Sequence, residues 1–157
     1  MAKPIAVRCS IAGALGEVGE RWSLLIIREA MMGSSRFDEF HERLGVARNI
    51  LAGRLETLVR HGVMARTPSQ ENARVHHYVL ADKGRELLPV LVALMHWGDR
   101  WIHAGIGPPI VLIDRKTRKP VAKVQVLSQD GVPLKGNDVE ILPGPGATSH
   151  MRKRLAT

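Results

Sequence analysis

Apolar side chains recur at helical spacing in four successive blocks along the first sixty residues, and the pattern then changes period. Ile11, Ala14 or Leu15, and Val18 predict a short helix over residues 9–18. A second, strongly apolar block predicts a helix over 22–32, ended by Gly33. Phe37, Phe40 and Leu44 align on one side of a third helix over 36–44. Gly45-Val46-Ala47 forms a tight connection to a fourth helix starting at Arg48, in which Leu51, Leu55 and Leu58 share one face. His61-Gly62 ends it, since glycine readily takes the left-handed conformation that closes a helix.

Two strands are predicted next, over 63–67 and 75–80, flanking a polar, turn-rich stretch at 68–73. The longest helix is predicted from Asp82 to about Ile102. Leu87, Leu91, Leu94, Gly98 and Trp101 step along one face of it, and Pro89 stands one turn in, where it bends or restarts a helix. Gly105 to Pro109 breaks the pattern. Apolar runs at 110–113, 121–127 and 139–142 predict a small antiparallel element of three strands, and from Pro143 the chain is expected to be disordered. The fold class is α+β, mainly α, divided as 1–104, a β extension at 105–142 and a basic tail at 143–157.

Two helices joined by about three residues, the second with an apolar back and a small, polar front, form a helix-turn-helix. The hairpin is then its wing. Arg48 and Asn49 lie in the first turn of the fourth helix, where arginine and asparagine can make paired hydrogen bonds to base edges. Ala52 and Gly53 leave room for close approach. Arg54 either binds phosphate or braces a carboxylate. Arg36 begins the helix that crosses the DNA backbone, and Arg66, Arg74 and His76 decorate the wing. For each of these the plain alternative is solvated surface charge. The apolar stripe through Leu87, Leu91, Leu94, Trp97, Gly98 and Trp101 is too long for a small domain to cover alone. With Leu15 of the first helix it predicts a homodimer interface rather than intramolecular core.

Composition narrows the classes. The 157 residues are 45% hydrophobic, enough for a core, and no apolar run reaches the length of a membrane span. No secretory leader opens the chain, so a soluble cytoplasmic protein with no membrane partner is expected. The formal charge of +8 favours polyanionic partners. The excess is uneven: residues 1–104 carry 14 basic and 11 acidic side chains, residues 105–157 carry 9 and 4. A single cysteine, Cys9, excludes an internal disulfide and a multi-cysteine zinc site. The histidines show no metal spacing, and Ser23, Asp38 and His41 form no catalytic arrangement, so no metal, no cofactor and no enzymatic activity are expected.

The order of residues resembles the HxlR-type winged helix-turn-helix transcriptional regulators of bacteria. The anchors are Cys9, the run from Gly19 to Ile27, Arg36-Phe37-Asp38-Glu39-Phe40, Leu51 with Arg54-Leu55, the run from His77 to Leu87, and His96-Trp97-Gly98. The resemblance implies a DNA-binding homodimer, with the first and last long helices at its interface, that controls transcription at nearby promoters; the reading adopted is a repressor on an inverted repeat of double-stranded DNA. Several members of that family use a cysteine at the position matching Cys9 as a redox or electrophile switch, the plain alternative being a small packing residue; a small-molecule effector in a cleft between the dimer helices is a further candidate input. Three departures matter. Alanine stands at 47 and 81 where the family usually has a hydroxyl residue ahead of a helix, a loss of about 0.5–2 kcal/mol per cap. The extension also lacks the cysteine pairs of longer relatives. The alternative from another class is a protein-interaction module with a basic tail and no preference for a DNA sequence.

Overall fold

The computed structural model describes residues 9–69, 72 and 75–156. The elements run α1 (Ser10–Val18), α2 (Arg21–Met31), α3 (Phe37–Leu44), α4 (Arg48–Arg60), β1 (Met64–Pro68), β2 (His76–Leu80), α5 (Asp82–Arg85), α6 (Leu88–Trp101), β3 (Val126–Leu127), β4 (Pro133–Leu134) and α7 (Ser149–Leu155), with a 3-10 turn at Gly136–Asp138. They divide into two compact units, residues up to Leu88 and residues from Pro89. That boundary falls earlier in the chain than the expected break after residue 104.

In the first unit the apolar stripes of α2, α3 and α4 converge, and α1 adds Val18. Ile26 and Ile27 of α2, Phe40 of α3, and Leu51, Leu55 and Leu58 of α4 are fully buried, with Val18, Val46, Val63 and Met64 beside them. Each such side chain stabilises the fold by about 1.5–3 kcal/mol. α4 packs against α1, α2, α3 and β1, and so is supported from several sides. One charge enters this core. The Glu29 carboxylate on α2 is almost wholly buried, held by Arg28 at 2.5 Å and by Arg43 of α3 at 3.8 Å. The second contact ties two helices whose sequence pattern shows only apolar complementarity.

β1 and β2 form the expected hairpin, antiparallel, with Met64 opposite Leu80 and Pro68 opposite His76. The chain before α3 adds a third, minimal strand: Arg36 bridges His77, and the Tyr78 amide donates to the Ser35 carbonyl at 2.7 Å. Ser35 Oγ also lies 3.0 Å from His77 Nδ1. The wing is thereby fixed to the entry of α3.

The predicted helix over 82–102 is two helices. α5 ends at Arg85 and α6 starts at Leu88. Pro89 explains the break. Proline has no N–H to donate and its ring clashes with the carbonyl four residues earlier, so it is tolerated only in a first turn. Leu87 accordingly lies ahead of α6, and the apolar stripe on that helix begins at Leu91.

The second unit departs from the expected three strands. Val126–Leu127 pairs with Pro133–Leu134, Ile113 bridges Pro120, and residues 139–142 pair with nothing. Ile141 and Leu142 are 73% and 69% exposed, so among the described residues these apolar runs have no covering layer on which to extend a sheet. The tail expected to be disordered carries α7. Thr148 caps it by accepting from the Met151 amide at 3.1 Å, the bond that Ala47 and Ala81 cannot make.

Candidate nucleic-acid interface

The turn between α3 and α4 fixes the reading helix. Gly45 sits at φ +60 and ψ 20, a conformation that glycine adopts without steric cost, and its amide donates to His41 O at 3.0 Å. Val46 is buried. His41 Nδ1 donates to the Val46 carbonyl at 2.8 Å, which fixes its ring and closes the turn. This bond lies immediately ahead of Ala47, which offers no side-chain cap to α4. Sequence reasoning missed His41 in this role; an i, i+5 spacing across a glycine turn is its only trace.

Behind α4 lie the buried leucines, and in front the expected residues are open. Arg48, Asn49, Ala52 and Gly53 are all exposed. A Cβ built on Gly53 would meet nothing within 4 Å. Glycine inside a helix costs about 1 kcal/mol relative to alanine, and packing within the chain does not call for it here.

The cations are not alike. Arg48 is anchored to α3, its guanidinium 3.0 Å from Asp38 Oδ1 and 4.8 Å from the centre of the Phe37 ring. Both partners of the ion pair remain more than half exposed, so the pair orients Arg48 more than it stabilises the fold. Arg54 lies 3.8 Å from Glu20 and is only one-third exposed. Arg66 on β1 donates to Nδ1 of His76 on β2 at 3.2 Å, its diagonal neighbour on the same face of the hairpin. Arg74 lies outside the described residues. Arg36, Arg66, His76, Phe37, Asp38 and Tyr78 line an open cleft of about 310 Å3 between the start of α3 and the wing. At the same end of α3, Glu39 accepts from the Ser35 amide at 2.7 Å and the Arg36 amide at 3.0 Å. These two backbone donors, Ser35 first, hold the Glu39 carboxyl below the usual glutamate range.

The helix-turn-helix with an attached hairpin and a small-residue front on its second helix is thus assembled from the residues that the pattern singled out. The profile of the HxlR-like helix-turn-helix family matches residues 17–105. The chain belongs to the HxlR-like helix-turn-helix family. An HTH-type transcriptional regulator of Mycobacterium tuberculosis, itself uncharacterized, is 37% identical over 137 residues, 87% of each chain. The solved structure of PA1607, described as a candidate transcription factor, is 42% identical with a TM-score of 0.80, covering 85% of this chain and 93% of that one. Such coverage exceeds the family's own stretch, so this likeness takes in part of the C-terminal extension. The reduced form of the transcriptional regulator YodB from Bacillus subtilis is 30% identical, with a TM-score of 0.52, over 62% of this chain and 97% of that one. This HxlR-like chain is therefore a winged helix-turn-helix transcriptional regulator that binds DNA.

The remaining expected site residues of this regulator lie elsewhere. Cys9 is half-buried at the N-terminal boundary of α1, its carbonyl accepting from the Gly13 amide at 2.8 Å. Leu15 is 56% exposed on α1. On α6, Leu94, Trp97 and Trp101 are 50%, 58% and 63% exposed, while Leu91 and Gly98 are half-buried. Among the described residues no helix is long and apolar enough to cross a membrane.

Proposed function

We propose that the protein is a homodimeric repressor that reads an inverted repeat in double-stranded DNA, one α4 helix in each major groove. The carrying observation is the front of α4, with Arg48, Asn49, Ala52 and Gly53 exposed opposite three fully buried leucines. Arg48 and Asn49 contact base edges, and Ala52 and Gly53 let the helix seat deeply. Arg36, Arg66, His76 and Arg74 hold phosphates and set the register without reading sequence. Arg54 braces α4 against the start of α2 through Glu20. A preference for one duplex that survives added salt separates this reading from a basic interaction module without sequence specificity.

The exposed face of α6 supports the dimer, since large apolar side chains at helical spacing mark an association surface. Two inputs would reset the angle between protomers and so the spacing of the readers. One is oxidation of Cys9, a reading supported by its partial exposure and by the likeness to YodB, which has been solved in a reduced form. The other is a small aromatic effector. An open cleft of about 730 Å3 in the second unit, walled by Met95, Trp97, Trp101 and Ile110, has the size and apolar lining of a small-ligand site.

Selection of a preferred duplex followed by competition gel shifts tests the reading. Arg48→Ala is expected to lower affinity for the selected duplex about tenfold or more and for random duplex far less. An equal loss on both would remove Arg48 from base readout.

A further inference from the structure

The second unit contains a turn that the winged-helix reading leaves unused. Residues 114–119 close a small hairpin: the Asp114 amide donates to Lys119 O at 2.9 Å, the Arg118 amide to Asp114 O at 2.8 Å, and Val121 N to Leu112 O at 2.9 Å. The Asp114 carboxylate turns inward. It accepts from the Lys116 amide at 2.8 Å and from the Thr117 hydroxyl at 2.9 Å, and these donors hold it below the usual aspartate range. The only acid of the turn is thus engaged by the turn itself. Arg118 stands at φ 59, the one described non-glycine residue with positive φ. That conformation costs an arginine about 1–2 kcal/mol, which glycine would avoid. Strain of this kind in a fixed turn points to a function for the side chain that bears it.

Four cations, Arg115, Lys116, Arg118 and Lys119, therefore project from five consecutive residues. All four are exposed, and no ion pair reaches any of them among the described residues. In the first unit Arg28, Arg43, Arg48, Arg54, Lys83 and Arg85 each face a carboxylate, whereas among the described residues no ion pair reaches Arg21, Arg36, Arg60 or Arg66, which are spread over separate elements. Unpaired like charges held together repel one another, and a polyanion relieves that repulsion. The tip carries no aromatic side chain to stack on a base and no apolar one to enter a peptide pocket. It suits a regular array of phosphates and nothing more selective.

We propose that this turn is a second DNA contact, gripping a phosphate backbone. The inference rests on the DNA-binding reading above and adds a sequence-independent anchor outside the winged helix. It predicts a steeper salt dependence than α3, α4 and the wing supply, because each neutralised phosphate adds about 0.9 to the slope of log K against log salt.

The test uses the full chain, with Arg115→Gln, Lys116→Gln, Arg118→Asn and Lys119→Gln combined and Arg118→Asn alone. Asparagine tolerates the left-handed conformation, so the single variant retains the turn. Anisotropy titrations on the selected and a random duplex across a salt series give the slopes, and thermal melting reports the fold. The combined variant is expected to flatten the slope by about 3.6 and the single variant by about 0.9, with the ratio between selected and random duplex unchanged. Unchanged slopes in a protein that still prefers its duplex overturn this proposal alone. A wild-type protein that binds no duplex overturns it together with the reading beneath it. Unchanged duplex slopes with lost binding to single-stranded RNA or polyglutamate assign the turn to another polyanion and overturn it as well.

Discussion

Gly84 shows how one residue can reverse a general rule. Alanine normally stabilises a helix by about 1 kcal/mol over glycine. At Gly84 an added Cβ would lie 2.3 Å from the Val63 carbonyl oxygen, a backbone atom that already accepts from the Ala81 amide at 3.1 Å. No side chain can swing aside there. Gly84→Ala is expected to destabilise the first unit by about 1–3 kcal/mol, read as a lower Tm or denaturant midpoint. A more stable variant would show that α5 does not pack this closely on the Val63 backbone. At this scale the sequence makes residue types legible but not their partners. Arg48 and Asn49 stand out by position, whereas the ion pair of Arg48 with Asp38 depends on how α3 and α4 cross. The split over Arg54 is of the same kind, because Glu20 lies 34 positions away in the chain and reaches it only through the packing of α2 on α4.

The start of α3 depends on a single titrating group. It lacks a side-chain acceptor at Arg36, and Glu39 supplies the reciprocal bonds to Ser35 and Arg36 instead. Because the folded carboxyl is held below its ordinary value, its contribution is fully present above the usual glutamate range. It is lost as pH falls through the folded value. Glu39→Gln should therefore cost at most about 1 kcal/mol near neutral pH, with the gap to wild type closing on acidification. Urea midpoints measured across the acid range check this, and a gap that stays constant would exclude Glu39 as the titrating group. Elements were readable where one face is buried inside the unit, because periodicity records burial. That holds for α2 to α4 and for the start of the wing at Met64, whereas α1 shows a helical apolar pattern of which only Val18 is buried. The break before α6 was readable only as an ambiguity at Pro89, which is compatible either with a kink or with a restart. The extension misled because its apolar runs stay exposed, so β-branched composition produced two-residue strands instead of a sheet. α7 was hidden by the Pro-Gly-rich stretch ahead of it, although Thr148 is a conventional cap.

For the whole molecule the decisive surface is α6. A monomer that leaves Leu94, Trp97 and Trp101 half exposed or more on one helix carries an association surface of the kind a second copy covers. The physical consequence for DNA binding is multiplicative. In the proposed dimer a single α4 reads half a site, and joining two readers makes the second binding event intramolecular, which raises affinity by about two orders of magnitude or more without new contacts. Leu94 is 50% exposed, so Leu94→Glu leaves the core of the monomer intact while placing a charge in the proposed interface. The variant is expected to sediment as a monomer and to melt close to wild type in its monomeric unit. It should bind the two-half-site duplex about a hundredfold more weakly, yet bind an isolated half-site as the wild type does. Half-site binding is what separates this from damage to the fold. If Leu94→Glu remains dimeric, α6 is not the interface, and the spacing of the two reading helices must be set by another surface.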